Sequence, residues 1–274
     1  MSSSSLSNMT LRSIYIVRHG YRSDWLPYTV APLTGIACDP PLAPHGVDQA
    51  TELGEYLHDQ AIPKPQLIFS SPFYRCVETA NPAANRLHIP IFLEQGIGEW
   101  FKKNRGPIPD PPSLRILSTF FPTLSGDWYD NSDVIADPTG EDEVDIFHRC
   151  QAFWKSFIPK VEEQYPEVES IMLVSHAATK IALGMALLGY DNAHQFLKPE
   201  HGGDGKNLRI DASTCSLDSY VMDPVKKQWG VNFTGNTEFL TNGGEMGWHF
   251  ATSKFVAGSK EEIEERKKNS LDPC

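Results

Sequence analysis

The chain has 274 residues, of which 40% are hydrophobic and 22% are charged, and its formal net charge is −11. This is the composition of an ordinary globular protein, and it excludes a disordered, collagen-like or coiled-coil chain. The acidic balance argues against broad binding to nucleic acids or to anionic membranes, although it is compatible with a local basic pocket.

Cysteine usage and hydropathy favour an intracellular protein. The five cysteines are widely spaced and include no C-x-x-C pair, which argues against a disulfide framework and favours a reducing compartment. No apolar stretch is long enough to span a bilayer, and the Ser-rich start lacks the charged and apolar regions of a secretory signal. We therefore expect a cytoplasmic or also nuclear location, no membrane partner, and a disordered N-terminus over residues 1–10.

Short apolar strands alternate with amphipathic helices along the first two thirds of the chain. Continuous apolar runs predict strands over residues 13–17, 66–69, 91–93 and 170–174. Apolar residues at three- and four-residue steps predict helices over residues 46–60, 73–87, 144–164 and 177–189. This alternation favours an α/β fold, a three-layer sandwich with a mostly parallel central sheet and helices on both faces.

Residues 100–140 interrupt this rhythm with many prolines and aromatic residues. Because a linker would not carry so many aromatics, we expect a cap-like insertion folded over the sheet. Short β-like segments follow over residues 213–221 and 229–240. We expect one domain over residues 11–258, followed by a charged C-terminal tail over residues 259–274.

Basic and imidazole side chains directly follow three of the predicted strands. Arg18 and His19 end the first strand, Arg75 opens the helix after the second, and His176 follows the fourth. Ligands of open α/β sheets bind beyond the carboxyl ends of the strands, so we expect these four side chains to converge there. Two imidazoles and two guanidinium groups in one cleft would form an anion site, because guanidinium forks match phosphate oxygens in pairs.

Five sequence blocks in a fixed order resemble the signature of the histidine phosphatase superfamily, also called phosphoglycerate-mutase-like. The blocks are residues 18–20 (RHG), 39–50 (DPPLAPHGVDQA), 70–80 (SSPFYRCVETA), 96–100 (GIGEW) and 174–177 (VSHA). A lone R-H-G is a weak sign, whereas five blocks in the right order are a strong one. The likeness extends to about residue 225 and leaves the C-terminal tail unexplained.

Within the superfamily, the chain resembles one subgroup in particular. That subgroup includes the tyrosine-phosphatase-like domains of T-cell signalling suppressors and a fungal domain from a subunit of an RNA polymerase III initiation factor. Residues 18–22 (RHGYR), 33–35 (LTG) and 181–192 (IALGMALLGYDN) look especially like the fungal domain. Many family members carry Glu or Gln where this chain has Tyr21, which leaves the shape of the cleft mouth open.

The resemblance implies a phosphomonoesterase that works through a phosphohistidine intermediate. His19 would be the nucleophile, and Arg18, Arg75 and His176 would bind the phosphoryl oxygens. Glu99 would protonate the leaving oxygen and later take a proton from water, with Glu94 as the alternative acid. The resemblance implies no cofactor and no metal, since fixed cations would neutralise the phosphoryl group.

We predict five further substrate-binding residues: Arg22, Gly20, Tyr21, Trp100 and Lys102. The basic residues Lys102, Lys103 and Arg105 stand beside aromatics, which would suit an acidic, aromatic leaving group such as a phosphotyrosyl peptide. A solvated loop that covers a packed aromatic layer fits the same residues equally well.

Three functions remain open from the sequence. The first is a phosphatase of phosphotyrosine-like, aryl or peptide phosphates, and the second is a phosphatase or mutase of small metabolites such as sugar phosphates. The third is a non-enzymatic or weakly active protein-binding module related to a transcription factor subunit. The chain carries no basic stripe and no DNA-reading motif, so we expect protein partners rather than direct contact with nucleic acid.

Overall fold

The structure, a computed structural model, describes residues 10–104, 108–128 and 132–250, together with residue 264. The predicted disordered start over residues 1–10, apart from Thr10, lies outside the described residues. So does the predicted charged tail over residues 259–274, apart from residue 264. The amide of Thr10 donates to Oε1 of Glu162 over 2.8 Å, so the described chain begins with a contact to a helix.

Seven strands form one sheet within the described residues. They are β1 (Ser13–Arg18), β2 (Leu67–Ser70), β3 (Ile91–Leu93), β4 (Leu124–Ser125), β5 (Ser170–Ser175), β6 (Leu217–Asp223) and β7 (Gln228–Asn236). Their order is β4-β3-β2-β5-β1-β6-β7, and only the β1–β6 and β6–β7 pairs are antiparallel. Every residue of β1, β2 and β5 is buried, as expected for central parallel strands that are covered on both faces.

Helices cover both faces of this sheet. They are α1 (Pro44–Asp59), α2 (Tyr74–Leu87), α3 (Leu114–Leu117), α4 (Glu143–Gln164) and α5 (Ala177–Leu187). Leu53 of α1 and Val77 of α2 belong to one apolar cluster, whereas Phe153 of α4 and Leu183 of α5 belong to the other. The predicted three-layer α/β sandwich is therefore confirmed. None of the helices in the described part of the chain is long and apolar enough to cross a membrane.

The helix ends follow local chemistry. Helix α1 begins at Pro44, two residues before the predicted start, because a proline at the first helical position lacks only an N–H that would have no partner there. Helix α4 begins with a capping box between Asp142 and Asp145. Helix α5 is followed by Gly189 at a φ of 73°, a left-handed conformation that glycine adopts readily.

The segment over residues 100–140 contributes to the core of the sandwich. It supplies β4, at the edge of the sheet, and the short helix α3. Trp128 is fully buried, and its ring lies 5.0 Å from that of Phe69 and 5.6 Å from that of Phe157. The aromatic residue Tyr129 of this segment lies outside the described residues.

The strand order brings the predicted polar residues to one edge of the sheet. Strands β2, β5 and β1 are adjacent and parallel, so their carboxyl ends point to the same side. Arg18 pairs in register with Ser175, which places the following residues, His19 and His176, side by side. Ser71 follows β2 on the same edge.

Candidate active site

His19 lies directly after β1 in a nearly closed environment, with 2% of its surface exposed. Its Nδ1 is 2.8 Å from the carbonyl oxygen of Gly20. A carbonyl only accepts, so Nδ1 carries the proton and Nε2 carries the lone pair. Burial, followed by the charges of Arg75 and Arg18, lowers the pKa of His19 well below 6.5. The ring is therefore neutral at neutral pH, the form in which Nε2 is a nucleophile.

His176 is fully buried, and its ring stands edge-on to that of His19 with centroids 5.5 Å apart. Nη2 of Arg75 lies 3.1 Å from Nδ1 of His176, and Oγ of Ser71 lies 2.8 Å from Nε2. Nδ1 of His176 therefore lies between a donor, Arg75, and an acceptor, Oε2 of Glu99 at 3.2 Å, while the hydroxyl of Ser71 can donate to or accept from Nε2. Burial lowers the pKa of His176 to about 4, although the carboxylate of Glu99 opposes that shift.

Arg75 is buried in the first turn of α2 between two carboxylates. Nη2 donates to Oε2 of Glu99 over 3.0 Å, and Nη1 is 3.5 Å from Oδ1 of Asp39. Its guanidinium carbon lies 4.9 Å from the centre of the Phe73 ring. Asp39 also accepts the backbone N–H of Tyr74 over 2.9 Å, so the same carboxylate holds both the start of α2 and its arginine.

Arg18 is the last residue of β1, and 2% of its surface is exposed. Nη1 donates to the carbonyl oxygen of Met246 over 2.6 Å and also to that of Ala212. The guanidinium carbon lies 5.5 Å from the centre of the Trp25 ring. Backbone groups from the C-terminal part of the chain therefore fix the orientation of this arginine.

Glu99 is the carboxylate that meets the histidine pair. Its Oε2 is 3.0 Å from Nη2 of Arg75 and 3.2 Å from Nδ1 of His176, and 17% of its side chain is exposed. Burial alone would raise the pKa of Glu99, but the contacts with His176 and Arg75 outweigh that effect and hold it well below its usual range. The side chain is thus a carboxylate at neutral pH.

Glu94, the alternative acid, is buried in the core and accepts hydrogen bonds there. Its Oε2 accepts from the indole N–H of Trp128 over 2.7 Å, and its Oε1 accepts the N–H of Gly96 over 2.8 Å. Only 2% of its surface is exposed, and burial raises its pKa. The geometry therefore favours Glu99 over Glu94 as the acid of the site.

Of the residues predicted to bind substrate, Gly20 holds the ring of His19. Its carbonyl accepts from His19, and its N–H donates to Oγ1 of Thr79 over 3.0 Å. A Cβ at this position would lie 2.7 Å from the carbonyl oxygen of Gly46, so only glycine allows the close approach of these two chain segments.

Tyr21 and Arg22 border the site together with Trp25. The rings of Tyr21 and Trp25 meet edge-on at 5.1 Å, and the ring of Trp25 lies 6.2 Å from that of His19. Arg22 donates from Nε to Asp24 over 2.9 Å, and its guanidinium carbon is 5.2 Å from the centre of the Trp25 ring. Its charge contributes to the lowered pKa of His19, which places it within electrostatic reach of the nucleophile.

Trp100 lies in the core, and its predicted contact with substrate stays a prediction. It is 8% exposed, its indole N–H donates to the carbonyl oxygen of Glu141 over 2.9 Å, and its ring packs 6.2 Å from that of Trp248. Nζ of Lys102 lies 4.8 Å from the centre of this ring. The bulky indole next to Glu99 is thus a packing group that supports the acid.

The predicted basic cluster is smaller than the sequence suggests. Nζ of Lys103 lies 3.5 Å from Oδ2 of Asp142 and also binds Asp145, so the carboxylates that cap α4 neutralise it. Arg105 lies outside the described residues. Nζ of Lys102 lies over the ring of Trp100, and its role in substrate binding stays a prediction.

Four supporting residues were not singled out as site residues from the sequence: Ser71, Asp39, Thr79 and Trp25. Three of them stand inside the quoted blocks at residues 39–50 and 70–80, where a search for hydrogen-bonding side chains near the predicted groups would have found them. Trp25 follows no motif and lies in a 3₁₀ turn over Ser23–Trp25, so nothing in its local sequence marked it.

The same centre contains a candidate metal-binding trio. Donor atoms of His19, Glu99 and His176 all lie within 4.8 Å of one another, and these residues form the one such group in the described part of the chain. The charges of Arg18 and Arg75 reach this point, and two fixed cations oppose a divalent cation while favouring an anion. The arrangement therefore suits a phosphoryl group better than a metal ion.

Residues 14–198 match the model of the histidine phosphatase superfamily, branch 1. The chain belongs to this superfamily. The match confirms the family predicted from the five blocks, and it spans β1 to β5 together with the helices between them.

Two curated relatives match different shares of the chain. The transcription factor tau 55 kDa subunit of Saccharomyces cerevisiae is 45% identical over 282 residues, which cover 94% of this chain and 62% of that protein. The ecdysteroid-phosphate phosphatase of Drosophila melanogaster is 31% identical over 129 residues, which cover 36% of this chain and 17% of that protein. The chain thus spans less than two thirds of the length of these relatives.

Solved structures share the fold. The ecdysone phosphate phosphatase of Bombix mori, in complex with tungstate, superposes with a TM-score of 0.59 at 23% identity and covers 82% of this chain and 93% of its own. A mycobacterial glucosyl-3-phosphoglycerate phosphatase in complex with inorganic phosphate gives a TM-score of 0.52 at 20% identity, and the match covers 84% of this chain and 100% of that chain. At identities this low, the similarity establishes the fold alone.

Proposed function

We propose that the chain is a phosphomonoesterase that forms a phosphohistidine at Nε2 of His19. The observation that carries this proposal is the bond from Nδ1 of His19 to the carbonyl of Gly20, which leaves a neutral Nε2 beside His176, Arg75 and Glu99. A neutral imidazole next to two guanidinium groups is suited to attack a phosphorus atom whose oxygens those cations bind.

The chemistry runs in two steps. Nε2 of His19 attacks phosphorus, the bond from phosphorus to the leaving oxygen breaks, and that oxygen takes a proton from Glu99. The negative charge of the bound phosphate raises the pKa of Glu99 in the complex, so Glu99 takes up a proton from the solvent before it donates that proton to the leaving oxygen. Water then attacks the phosphohistidine, Glu99 takes the proton of the water, and the bond between Nε2 and phosphorus breaks to release phosphate.

Arg18 and Arg75 replace a metal ion in this scheme. Charge on the phosphoryl oxygens grows in the transition state, and fixed guanidinium groups in a buried site stabilise it. His176 adds a neutral ring that Ser71 and Arg75 hold in place. The reaction should therefore continue in the presence of a chelator.

Aromatic rings surround the candidate phosphate site, which supports specificity for aryl or peptide phosphates. Trp25 lies against His19, and the ring of Phe73 lies 5.6 Å from that of His176 and 5.8 Å from that of Phe101. Apolar rings of this kind suit a leaving group such as phosphotyrosine. A relative named for ecdysteroid phosphates, which also have bulky apolar leaving groups, agrees with this substrate class.

The test is hydrolysis of p-nitrophenyl phosphate, in the presence of a chelator, by the wild type, His19→Ala and His58→Ala. His58 is exposed and pairs with Asp59, so its variant controls for the loss of an imidazole elsewhere. We expect turnover in the wild type and His58→Ala, loss in His19→Ala, and labelled phosphate trapped only when His19 is present. Full activity of His19→Ala would contradict the proposal.

A second candidate is a protein-binding module of a nuclear assembly. The 45% identity to a transcription factor subunit supports it, because the likeness covers nearly the whole of this chain. A wild type without activity on aryl phosphates, phosphopeptides and sugar phosphates would favour this module. Turnover of sugar phosphates alone would instead indicate a metabolite phosphatase or mutase.

A further inference from the structure

Residues 244–250 cross the candidate active site, and we call this segment the C-terminal strap. It lies beyond residues 14–198, which match the family model. One end is anchored to α1, where Oε2 of Glu245 accepts from Nε2 of Gln49 over 2.9 Å and lies 2.5 Å from Nε2 of His45. The carbonyl of Glu245 accepts the N–H of Thr214 over 2.9 Å.

The other end of the strap packs beside the acid. Trp248 and Phe250 are 6% and 4% exposed, and their ring centres lie 6.2 and 5.4 Å from that of Trp100. Trp100 follows Glu99 in the chain, and its N–H donates to Oε1 of Glu99 over 2.9 Å. The strap therefore runs from α1 to the neighbour of the proposed acid.

Met246, in the middle of the strap, contacts the phosphate-binding machinery directly. Its carbonyl oxygen is 2.6 Å from Nη1 of Arg18, and the residue is 3% exposed. Its φ is +53°, a left-handed conformation that non-glycine residues rarely adopt. Such a conformation persists only where the surroundings hold it. Glu245, the preceding residue, is held by Gln49 and His45.

We propose that Glu245 is a positioning residue for Arg18. By holding the strap against Gln49 and His45, Glu245 keeps the carbonyl of Met246 on Nη1 and so fixes the plane of the guanidinium. Without this anchor Met246 relaxes towards an ordinary conformation, its carbonyl leaves Arg18, and the guanidinium no longer faces the phosphoryl oxygens in a fixed orientation.

Gln49 extends the same connection to the nucleophile. Its Oε1 accepts the N–H of Tyr21 over 2.9 Å, and its Nε2 donates to Oγ1 of Thr214 over 3.1 Å as well as to Glu245. One carboxamide thus joins the loop after His19 to the strap. The positions of the nucleophile and of Arg18 are thereby coupled through side chains that do not touch phosphate.

This inference rests on phosphate binding in the proposed function and does not require turnover. The experiment measures binding of orthovanadate and inorganic phosphate to the full chain by calorimetry for the wild type, Glu245→Ala and Glu238→Ala. Glu238 is an exposed carboxylate in the same part of the chain and controls for the lost charge. We expect Glu245→Ala to bind both anions about tenfold more weakly, as for loss of a hydrogen bond to a charged group, and Glu238→Ala to match the wild type.

A double-mutant cycle shows whether the effect passes through Arg18. In the Arg18→Ala background, Glu245→Ala should cause no further loss of affinity, because the group that it positions is already absent. An equal loss in both backgrounds, or wild-type affinity in Glu245→Ala, overturns the inference. Absence of anion binding in the wild type overturns the proposed function instead. If Glu245→Ala does not fold, Glu245→Gln takes its place under the same criteria.

Discussion

Nη2 of Arg75 lies 3.1 Å from Nδ1 of His176, so an arginine from the first turn of α2 meets the imidazole that follows β5. On the other side of the ring, Nε2 lies 2.8 Å from Oγ of Ser71, which follows β2. Groups from three adjacent elements thus hold one buried ring. The contact with Ser71 can be tested separately from the contact with Arg75.

Ser71→Ala removes the hydroxyl that lies 2.8 Å from Nε2 of His176. Both groups are buried, and Sγ of Cys76 at 3.5 Å is only a weak replacement partner, so the free energy of unfolding should fall by about 1–3 kcal/mol. The freed ring also moves away from the phosphoryl oxygens, so kcat/KM should fall by about tenfold or more. Urea unfolding and steady-state kinetics measure the two effects. Ser170→Ala, at the opposite end of β5, is the control, and an equal loss there would contradict this assignment.

The stability of the protein should depend on pH through His176. Its pKa is about 4 in the folded chain, against 6.5 in the unfolded chain. Between these values the unfolded chain binds more protons, so the free energy of unfolding falls as the pH drops below 6.5. The stability difference between the wild type and His176→Asn should shrink by about 2 kcal/mol between pH 7 and pH 5.

Comparing the wild type with His176→Asn cancels the contributions of groups whose pKa His176 does not affect. Burial raises the pKa of Glu78 to about 7, so that carboxyl group stabilises the folded chain as the pH falls through the same range. Glu78 is present in both proteins, and its contribution cancels in the difference. Urea titrations at half-unit pH intervals provide the data, and a difference that stays constant from pH 7 to pH 5 is incompatible with a buried neutral His176.

The sequence predicted those site groups whose positions depend on the strand pattern. Arg18, His19 and His176 follow directly from the ends of β1 and β5, since parallel neighbouring strands place their carboxyl ends together. The carbonyl of Met246 on Arg18 could not be predicted, because a backbone group bears no residue signature and lies 228 residues away along the chain. Trp25 was missed because a residue in an irregular turn belongs to no periodic pattern.

Two residues near Glu99 have partners that the sequence alone does not reveal. Trp100 beside Glu99 suggested a substrate contact, which stays a prediction, and Lys103 suggested a cation available to substrate. Their partners, Trp248 for the ring and Asp145 for the ammonium group, come from distant parts of the chain and are visible only after folding. A side chain that is next to a candidate catalytic residue in the sequence can therefore contact a distant part of the chain, and the sequence alone does not show this.

The choice between Glu99 and Glu94 predicts a dependence on the leaving group. Glu99→Gln removes the proton donor, so turnover of phosphotyrosine, whose leaving phenolate needs that proton, should fall about 10²–10⁴-fold. p-Nitrophenolate leaves readily without a proton, so its phosphate should lose less. Glu94→Gln should lower the melting temperature through Trp128 while it leaves the ratio of the two substrates unchanged. A ratio that changes in Glu94→Gln alone would reverse the assignment.

Asp39 allows the positioning of Arg75 to be separated from its charge. Asp39→Ala leaves the N–H of Tyr74 and one side of the guanidinium without their carboxylate, and KM for p-nitrophenyl phosphate should rise about tenfold. Asp39→Asn keeps an oxygen that accepts from Tyr74, so KM should stay within about twofold of the wild type. Equal losses in the two variants would mean that the negative charge of Asp39, rather than its hydrogen bonds, is required.

Lys102 and Lys103 form a matched pair for the proposed preference for phosphopeptides. Lys103 binds Asp142 and Asp145 at the protein surface, where water and salt weaken ion pairs, so Lys103→Ala should change stability little and leave KM unchanged. Lys102 lies over the ring of Trp100, next to the proposed acid. Lys102→Ala should raise KM for an acidic phosphotyrosyl peptide about threefold to fivefold, because the loss of one ion pair to the peptide weakens binding.

KM for p-nitrophenyl phosphate, which lacks flanking acidic residues, should not change in either variant. A rise in KM for both substrates in Lys102→Ala would place Lys102 at the phosphate rather than at the peptide.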